Sequence, residues 1–219
     1  MIPICEIFNS VDGEGLFAGG LATFIRTQGC NLNCRYCDST YATIPGAGKS
    51  LSVEEILDHV SKTGYTHVTL TGGEPLIHRD SLRLCKELSS HGHLVNIETN
   101  GTLDFSEFQR IEGVTITMDY KTPASGVEKF SCVENLRKLR ENDVAKFVMA
   151  NCDISRVREV LSEAKPKSFV YFSPVFGEIQ PSKLVDFVRS LRTYEGAQTR
   201  YRVQLQLHKY IWDPSTRGV

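Results

Sequence analysis

Cys30-Asn-Leu-Asn-Cys34-Arg-Tyr-Cys37-Asp-Ser-Thr40 places three of the chain's seven cysteines within one short loop, in the spacing C-x3-C-x2-C. Only a tight loop can turn three such close thiols onto one object, and thiolates so near one another repel unless a cation holds them. A metal centre is the economical reading. A structural zinc site wants four closed ligands, usually in two short-spaced pairs. Here three cysteines stand close and no second Cys/His pair lies at zinc-ribbon distance. An iron–sulfur cluster held by three cysteines fits better, because it leaves one iron for a non-protein ligand. Cys5, Cys85, Cys132 and Cys152 are scattered singly and suit apolar faces as inert core thiols.

On either side of this loop, strand-like runs alternate with helical patterns. Residues 22–27, 67–71, 94–99, 114–119, 145–149 and 169–173 read as strands, with 203–207 as a last one. Several are nearly unbroken apolar or β-branched runs, as expected of parallel strands buried on both faces. Between them, Ser52 and Glu55 form a capping box before Val53, Ile56, Leu57 and Val60, and Ser131 with Glu134 repeats the device. Asp80 predicts another helix start, with Gly92 past its end, and Asp153 and Pro181-Ser182 open two more. Such alternation implies right-handed crossovers and a parallel sheet or barrel. Ligands of such sheets sit at the carboxyl ends of the strands. The segments to scrutinise are therefore the loop after Thr27, then 71–75, 98–102, 119–123 and 173–177, each polar or glycine-rich.

The 219 residues suffice for one sizeable α/β core and are read as one domain over 1–219, without repeats or linkers. A net charge of −1 argues against a basic nucleic-acid surface. The first residues lack the basic and apolar regions of a signal peptide, and no apolar run reaches membrane-span length. An odd cysteine count in that setting predicts a reducing cytoplasm, where a cysteine cluster is metal-binding or catalytic.

The C-x3-C-x2-C motif, with Tyr36 before the last cysteine, resembles the signature of the radical S-adenosylmethionine superfamily. In that superfamily the three cysteines hold a [4Fe–4S] cluster whose open iron binds the methionyl part of S-adenosylmethionine. Thr71-Gly72-Gly73-Glu74-Pro75 is similar to its GGEP motif, whose backbone lies against the methionine amino group. The carboxylate of Glu74 suits an ammonium partner. The resemblance implies a truncated, partial (β/α) TIM-like barrel of mostly parallel strands.

Asn9-Ser-Val-Asp-Gly-Glu-Gly15, Phe24-Ile-Arg26, Cys37-Asp-Ser-Thr40 and the tail from Gln206-Leu-His to Gly218-Val219 narrow this. Together they resemble the 7-carboxy-7-deazaguanine synthase family, from end to end. The resemblance implies a ring-contracting carbon–nitrogen lyase acting on 6-carboxy-5,6,7,8-tetrahydropterin with release of ammonia, for 7-deazapurine (queuosine or archaeosine) biosynthesis. It further implies a homodimer, Mg²⁺, S-adenosylmethionine used catalytically through a 5′-deoxyadenosyl radical, and an external electron donor such as a flavodoxin or ferredoxin. No direct nucleic-acid or membrane contact is expected.

By the same matching, Cys30, Cys34 and Cys37 ligate the cluster and Ser39 ligates Mg²⁺. Tyr36, Cys37, Asp38, Gly73, Glu74, Asp119, Tyr120 and Lys121 are matched to S-adenosylmethionine, as are Phe172, Ser173, Pro174 and Val175. Val11, Asp12, Gly13, Glu14, Gly15, Arg26, Thr71, His208 and Val219 are matched to the pterin. Asp12 stands where many members have Gln. No catalytic side chain is expected beyond these ligands, since the cofactors carry the chemistry. A glutamate can accept the 2-amino and ring N–H groups of a pterin, and a guanidinium suits its carboxylate. By residue type alone, Glu14 and Arg26 could be an ordinary surface pair and Lys121 a solvated cation, and His208 could equally be a packed histidine. Two rival functions stay open at this level: a glycyl-radical-enzyme activase of the same superfamily, and a non-catalytic metal-binding RNA module.

Overall fold

A computed structural model describes residues 1–195 and 200–219. Among them, nine strands form one sheet: β1 (Ile2–Val11), β2 (Leu21–Thr27), β3 (Lys49–Leu51), β4 (His67–Gly72), β5 (Leu94–Thr99), β6 (Val114–Asp119), β7 (Val144–Met149), β8 (Phe169–Pro174) and β9 (Tyr201–Val203). Their order is β3-β1-β2-β4-β5-β6-β7-β8-β9, an open array in which β2 and β4 to β9 run parallel. β1 pairs antiparallel with both β2 and β3. This is the parallel sheet that the alternation of strands and helices predicts, in the partial, unclosed TIM-like form that the resemblance implies.

Six α-helices lie among the described residues: α1 (Val53–Ser61), α2 (Ser81–Ser90), α3 (Val133–Lys138), α4 (Ile154–Ala164), α5 (Pro181–Glu195) and α6 (His208–Ile211). Ile56, Val60, Leu84, Leu88, Val160 and Leu184 from these helices join Leu70, Ile97, Ile116 and Phe147 of the strands in one buried apolar cluster. The sheet's other face is different in kind. Thr69, Thr71, Asn96, Glu98, Thr117, Asp119 and Lys146 alternate with the apolar positions along β4 to β7. The strands are buried on both faces as expected, yet only one face is hydrocarbon. A period of two separates them.

Helix starts show where local signals yield to tertiary demand. The Ser52 box forms: Ser52 Oγ accepts from the Glu55 amide at 3.1 Å, and the Ser52 amide donates to Glu55 at 2.7 Å. The second box does not. Ser131 Oγ accepts from the Lys121 amide (3.1 Å) and donates to the Lys121 carbonyl (2.9 Å), and α3 begins after Cys132 without a side-chain cap. Ser131 thereby ties α3's approach to the 119–123 loop. Asp80 precedes α2, but its carboxylate pairs with the Met1 ammonium. Asp153 precedes α4, but accepts from Thr122 Oγ1 (3.0 Å) and the amides of Ala124 (2.9 Å) and Ala150 (2.7 Å). Each of these side chains serves a loop at the sheet's carboxyl edge or the chain's start. β1 and β3 went without a sequence signal, since Pro3, Glu6, Asn9 and Ser10 interrupt any apolar run in β1. The predicted last strand at 203–207 is placed at Tyr201–Val203 instead.

Candidate active site

One cavity of about 430 Å³ opens at the carboxyl edge of the parallel strands. Its wall takes residues from β1, β2, β4, β5, β6 and β7, the loop after β8, the cysteine loop and residues 206–219. A single cavity can touch so many consecutive strands only because the sheet curls around it.

Cys30, Cys34 and Cys37 all line this space, and all are free thiols. The loop is pinned on several sides. The Gly29 amide donates to the Ala42 carbonyl (2.7 Å), Arg35 N–H to Ser125 (2.8 Å), Cys37 N–H to Cys34 (3.3 Å) and Tyr36 Oη to Val148 (3.3 Å). Leu32 N–H and Asn100 Nδ2 point at Cys30 Sγ, at 3.4 and 3.8 Å, donors suited to a thiolate. Burial pushes the Cys34 thiol up to about 11; Lys121 opposes this, while Asp119 and the other two cysteines add to it. Such thiols ionise only when a cation arrives. Among the described residues, no three His, Cys, Asp or Glu side chains are grouped to hold a single metal ion. Three inward cysteines set around a space fit a cluster with an iron at each of three corners, and do not fit structural zinc.

The glycine pair is forced by the packing of this loop. A Cβ on Gly72, whose φ is +144°, would lie 2.3 Å from the Thr27 carbonyl oxygen, and one on Gly73 would lie 2.1 Å from that of Gly29. The amides of Gly73 and Glu74 donate to those same two carbonyls, at 3.2 and 2.8 Å. Glu74 itself is wholly buried and faces no cavity. Its carboxylate accepts from the Leu76 amide (3.1 Å), Thr99 Oγ1 (2.8 Å) and the Asn100 amide (2.6 Å). It clamps the ends of β4 and β5 together, and the ammonium contact expected of its side chain has no room here.

The opposite wall carries charge. Glu14, Asp119, Lys121 and Lys146 are drawn into one chain: Lys146 Nζ pairs with Glu14 Oε2 and stands 3.7 Å from Asp119 Oδ2, which Lys121 Nζ holds at 2.9 Å. Burial would raise the Glu14 carboxyl, but the Lys146 ammonium outweighs it and holds Glu14 below the usual range. Asp12, 1% exposed, accepts from Thr69 Oγ1 at 3.0 Å. Burial, with Glu98 adding to it, pushes its carboxyl up to about 7. Arg26 pairs with Glu6 (2.8 Å) and donates to Ser39 Oγ at 3.2 Å; Tyr41 Oη donates to the same Glu6 at 2.5 Å. Ser39 Oγ in turn donates to Asp38 (3.2 Å), and Asp38 pairs with Lys209 at 3.0 Å. Burial opposes that charge, yet Lys209 prevails and lowers the Asp38 carboxyl to about 2. A hydroxyl beside a carboxylate is a hard-oxygen pair of the kind Mg²⁺ shares with waters and substrate.

Most of the matched residues meet at this cavity: Val11, Asp12, Gly13, Glu14, Arg26, Tyr36, Asp38, Ser39, Thr71, Gly73, Asp119, Lys121, Val175, His208 and Val219 line it together with the cysteines. Glu14 and Arg26 are not partners of one another, and Lys121 is half-buried and paired with Asp119 rather than solvated. Others lie elsewhere. Gly15 is set back, its amide donating to Gln204 Oε1 (2.8 Å) and its carbonyl accepting from Gln204 Nε2 (2.9 Å). The Tyr120 ring packs tilted against Phe147 in the core, and Phe172 is buried between Phe147, Phe187 and Tyr201. Ser173 and Pro174 are buried behind the cavity wall. Period-two alternation accounts for Phe172, which falls on the core face of β8, and for Tyr120, which follows Asp119 at the end of β6 and continues its alternation. The sequence reading passed over Lys146, and it named the segment 98–102 and the tail from Gln206 without giving Glu98, Asn100 or Lys209 a role; all four line the cavity. An ionisable residue inside the run Val144-Ala-Lys-Phe-Val-Met149 was the available signal for Lys146.

Comparison with known proteins bears on this geometry. The Radical SAM superfamily profile matches residues 24–165. The chain is 40% identical over 222 residues to the 7-carboxy-7-deazaguanine synthase of Clostridium acetobutylicum, covering 99% of this chain and 98% of that one. It is 37% identical over 215 residues to that of Methanospirillum hungatei, covering 97% and 86%. The crystal structure of QueE from Escherichia coli superposes with a TM-score of 0.69 at 25% identity, over 94% of this chain and 93% of that one.

Proposed function

Because this chain belongs to the 7-carboxy-7-deazaguanine synthases of the radical SAM superfamily, we propose that it contracts the ring of 6-carboxy-5,6,7,8-tetrahydropterin to 7-carboxy-7-deazaguanine, releasing ammonia. The observation that carries this reading is the convergence on one cavity of three free cysteines, the Gly72-Gly73 loop and the Asp12–Glu14 and His208 segments. Neither an activase nor an RNA-binding module is favoured by relatives that align over almost the full chain.

When bound, the cluster and S-adenosylmethionine supply the one-electron chemistry that begins and ends at C6 of the pterin. The chain's own residues position and exclude water. Cys30, Cys34 and Cys37 hold three irons. The Gly73 backbone, Asp38, Asp119, Lys121 and Val175 are the surfaces offered to S-adenosylmethionine, with Tyr120 able to contribute only through its backbone. Glu14, kept ionised by Lys146, accepts two N–H groups of the pterin. Arg26 turns its guanidinium to the substrate's carboxylate. Thr71, Asp12, His208 and the Val219 end close the remaining sides. Ser39 and Asp38 would offer Mg²⁺ their oxygens, with substrate and water supplying the rest of what it binds.

The reductant is an external one-electron donor of the flavodoxin or ferredoxin kind, and the working unit is a homodimer in the cytoplasm, to be checked by light scattering. No helix among the described residues is long and apolar enough to cross a membrane.

The test is anaerobic reconstitution followed by iron analysis and mass spectrometry of products formed with S-adenosylmethionine, Mg²⁺, a reductant and the pterin. About four irons per chain are expected, with 7-carboxy-7-deazaguanine as product. Stoichiometric zinc without iron would sink the cluster; an intact cluster with no deazaguanine would sink the substrate alone.

A further inference from the structure

Lys146 sits in the middle of β7, in register with Asp119 of β6, and its side chain is 8% exposed. A lysine so deeply buried is rare unless paired. It is paired twice, with Glu14 Oε2 and, at 3.7 Å, with Asp119 Oδ2. Each carboxylate is engaged through one oxygen only. The other two, Glu14 Oε1 and Asp119 Oδ1, are buried with no hydrogen-bond partner among the described residues. A buried acceptor left unpaired costs free energy, so it calls for an explanation. Stability does not provide one, because a buried ion pair is often no better than hydrocarbon of the same volume.

We propose that Lys146 is a positioning residue that ties the pterin-facing Glu14 to the S-adenosylmethionine-facing Asp119, presenting the second oxygen of each to its ligand and coupling the two binding events. The inference rests on the reading of Glu14 and Asp119 given above. Lys146 is not a proton donor: burial disfavours its charge, but Glu14, Asp119 and Glu98 outweigh this and hold its proton firmly. The other titratable groups near Glu14 are Asp38 of the cysteine loop, His208 of α6 and Asp12 of its own loop. With a neutral side chain at 146, the anions among these drive Glu14 to take up a proton. It then offers a pterin one acceptor and an opposing O–H.

The test uses anaerobically reconstituted holoenzyme carrying Lys146→Met, with Lys146→Gln as the variant that still fills the site with a hydrogen-bond donor should the first not fold. Calorimetry measures binding of 6-carboxy-5,6,7,8-tetrahydropterin and of S-adenosylmethionine, each alone and in the presence of the other. Infrared spectra of protein labelled with 13C-glutamate, assigned with Glu14→Gln, report the ionisation of Glu14 at pH 7. In the unsubstituted enzyme each ligand should tighten the other by the same factor, about fivefold or more. In either variant pterin affinity should fall about 10- to 100-fold, the mutual tightening should shrink below about twofold, and a protonated Glu14 band should appear, with iron content unchanged. An ionised Glu14 in the variants, or coupling as in the unsubstituted enzyme, overturns the proposal. If the unsubstituted enzyme binds no pterin, the substrate reading fails, while the infrared band still decides whether Lys146 holds Glu14 as an anion.

Discussion

Replacing Glu74 by Gln separates two roles for the acidic residue of the glycine-rich loop. If its carboxylate faced the ammonium of S-adenosylmethionine, the change would weaken that ligand and leave the protein's stability alone. The structure instead gives it three donors: the Leu76 amide and Thr99 Oγ1 on one oxygen, the Asn100 amide on the other. An amide can keep its oxygen toward the first two, but then its NH₂ meets the Asn100 N–H, donor against donor. One charge-assisted bond is lost, worth about 1.5–3 kcal/mol, and a buried amide is left unsatisfied. The remaining two bonds weaken with the loss of charge. A total of about 2–4 kcal/mol follows. For a chain of this length each kcal/mol lowers Tm by about 2–4 °C, so the drop is about 4–16 °C. Thermal melts of the apoprotein, followed by circular dichroism, measure it without any ligand. A Tm within about 2 °C of the original, together with weaker S-adenosylmethionine binding, would refute the clamp and restore the ammonium partner.

Other outcomes follow from the same geometry. Gly73→Ala forces a Cβ to within 2.1 Å of the Gly29 carbonyl oxygen, which is backbone and cannot rotate aside. The glycine and cysteine loops must part, costing about 1–3 kcal/mol, and iron incorporation measured after reconstitution should fall with the melt. Gly13→Ala meets only the His208 ring, at 2.6 Å. That side chain can swing, so KM for the pterin should rise while iron content and Tm hold. The Asp12 carboxyl, raised to about 7 by burial, binds a proton in the folded protein that the unfolded chain has already released. Stability from this group is therefore fully present below about pH 4 and is lost progressively as pH rises through about 7, by up to about 4 kcal/mol. Asp12→Asn should flatten that part of the stability–pH profile in denaturant titrations between about pH 4 and 7, and an unchanged slope would show that Asp12 titrates normally.

The cysteine spacing, the glycine pair and the strand–helix alternation were legible because each is a short-range constraint. Three thiols within eight residues can only form a loop around something, and a capping box such as Ser52–Glu55 closes within one turn. Period two also settles which of Asp119 and Tyr120 faces the cavity, once it is known which face is the core. That last step was not local. The apolar cluster claims Tyr120 and Phe172 because helices cover that face, and no pattern in either strand says where the helices lie. Ser131, Asp80 and Asp153 likewise carry helix-start signals that longer-range partners override.

The sequence by itself determined the chemistry of the loop at Cys30–Thr40 and the side of the sheet on which it would act. Only the tertiary structure decided who its neighbours are. It made Glu74 a clamp between strands, brought His208 and Val219 to a wall shared with Asp12, and set Lys146 between two carboxylates 132 and 27 positions before it. The reason is physical. Spacing fixes what a few adjacent bonds allow, whereas the state of a buried charge depends on partners that meet only when the sheet curls and water leaves.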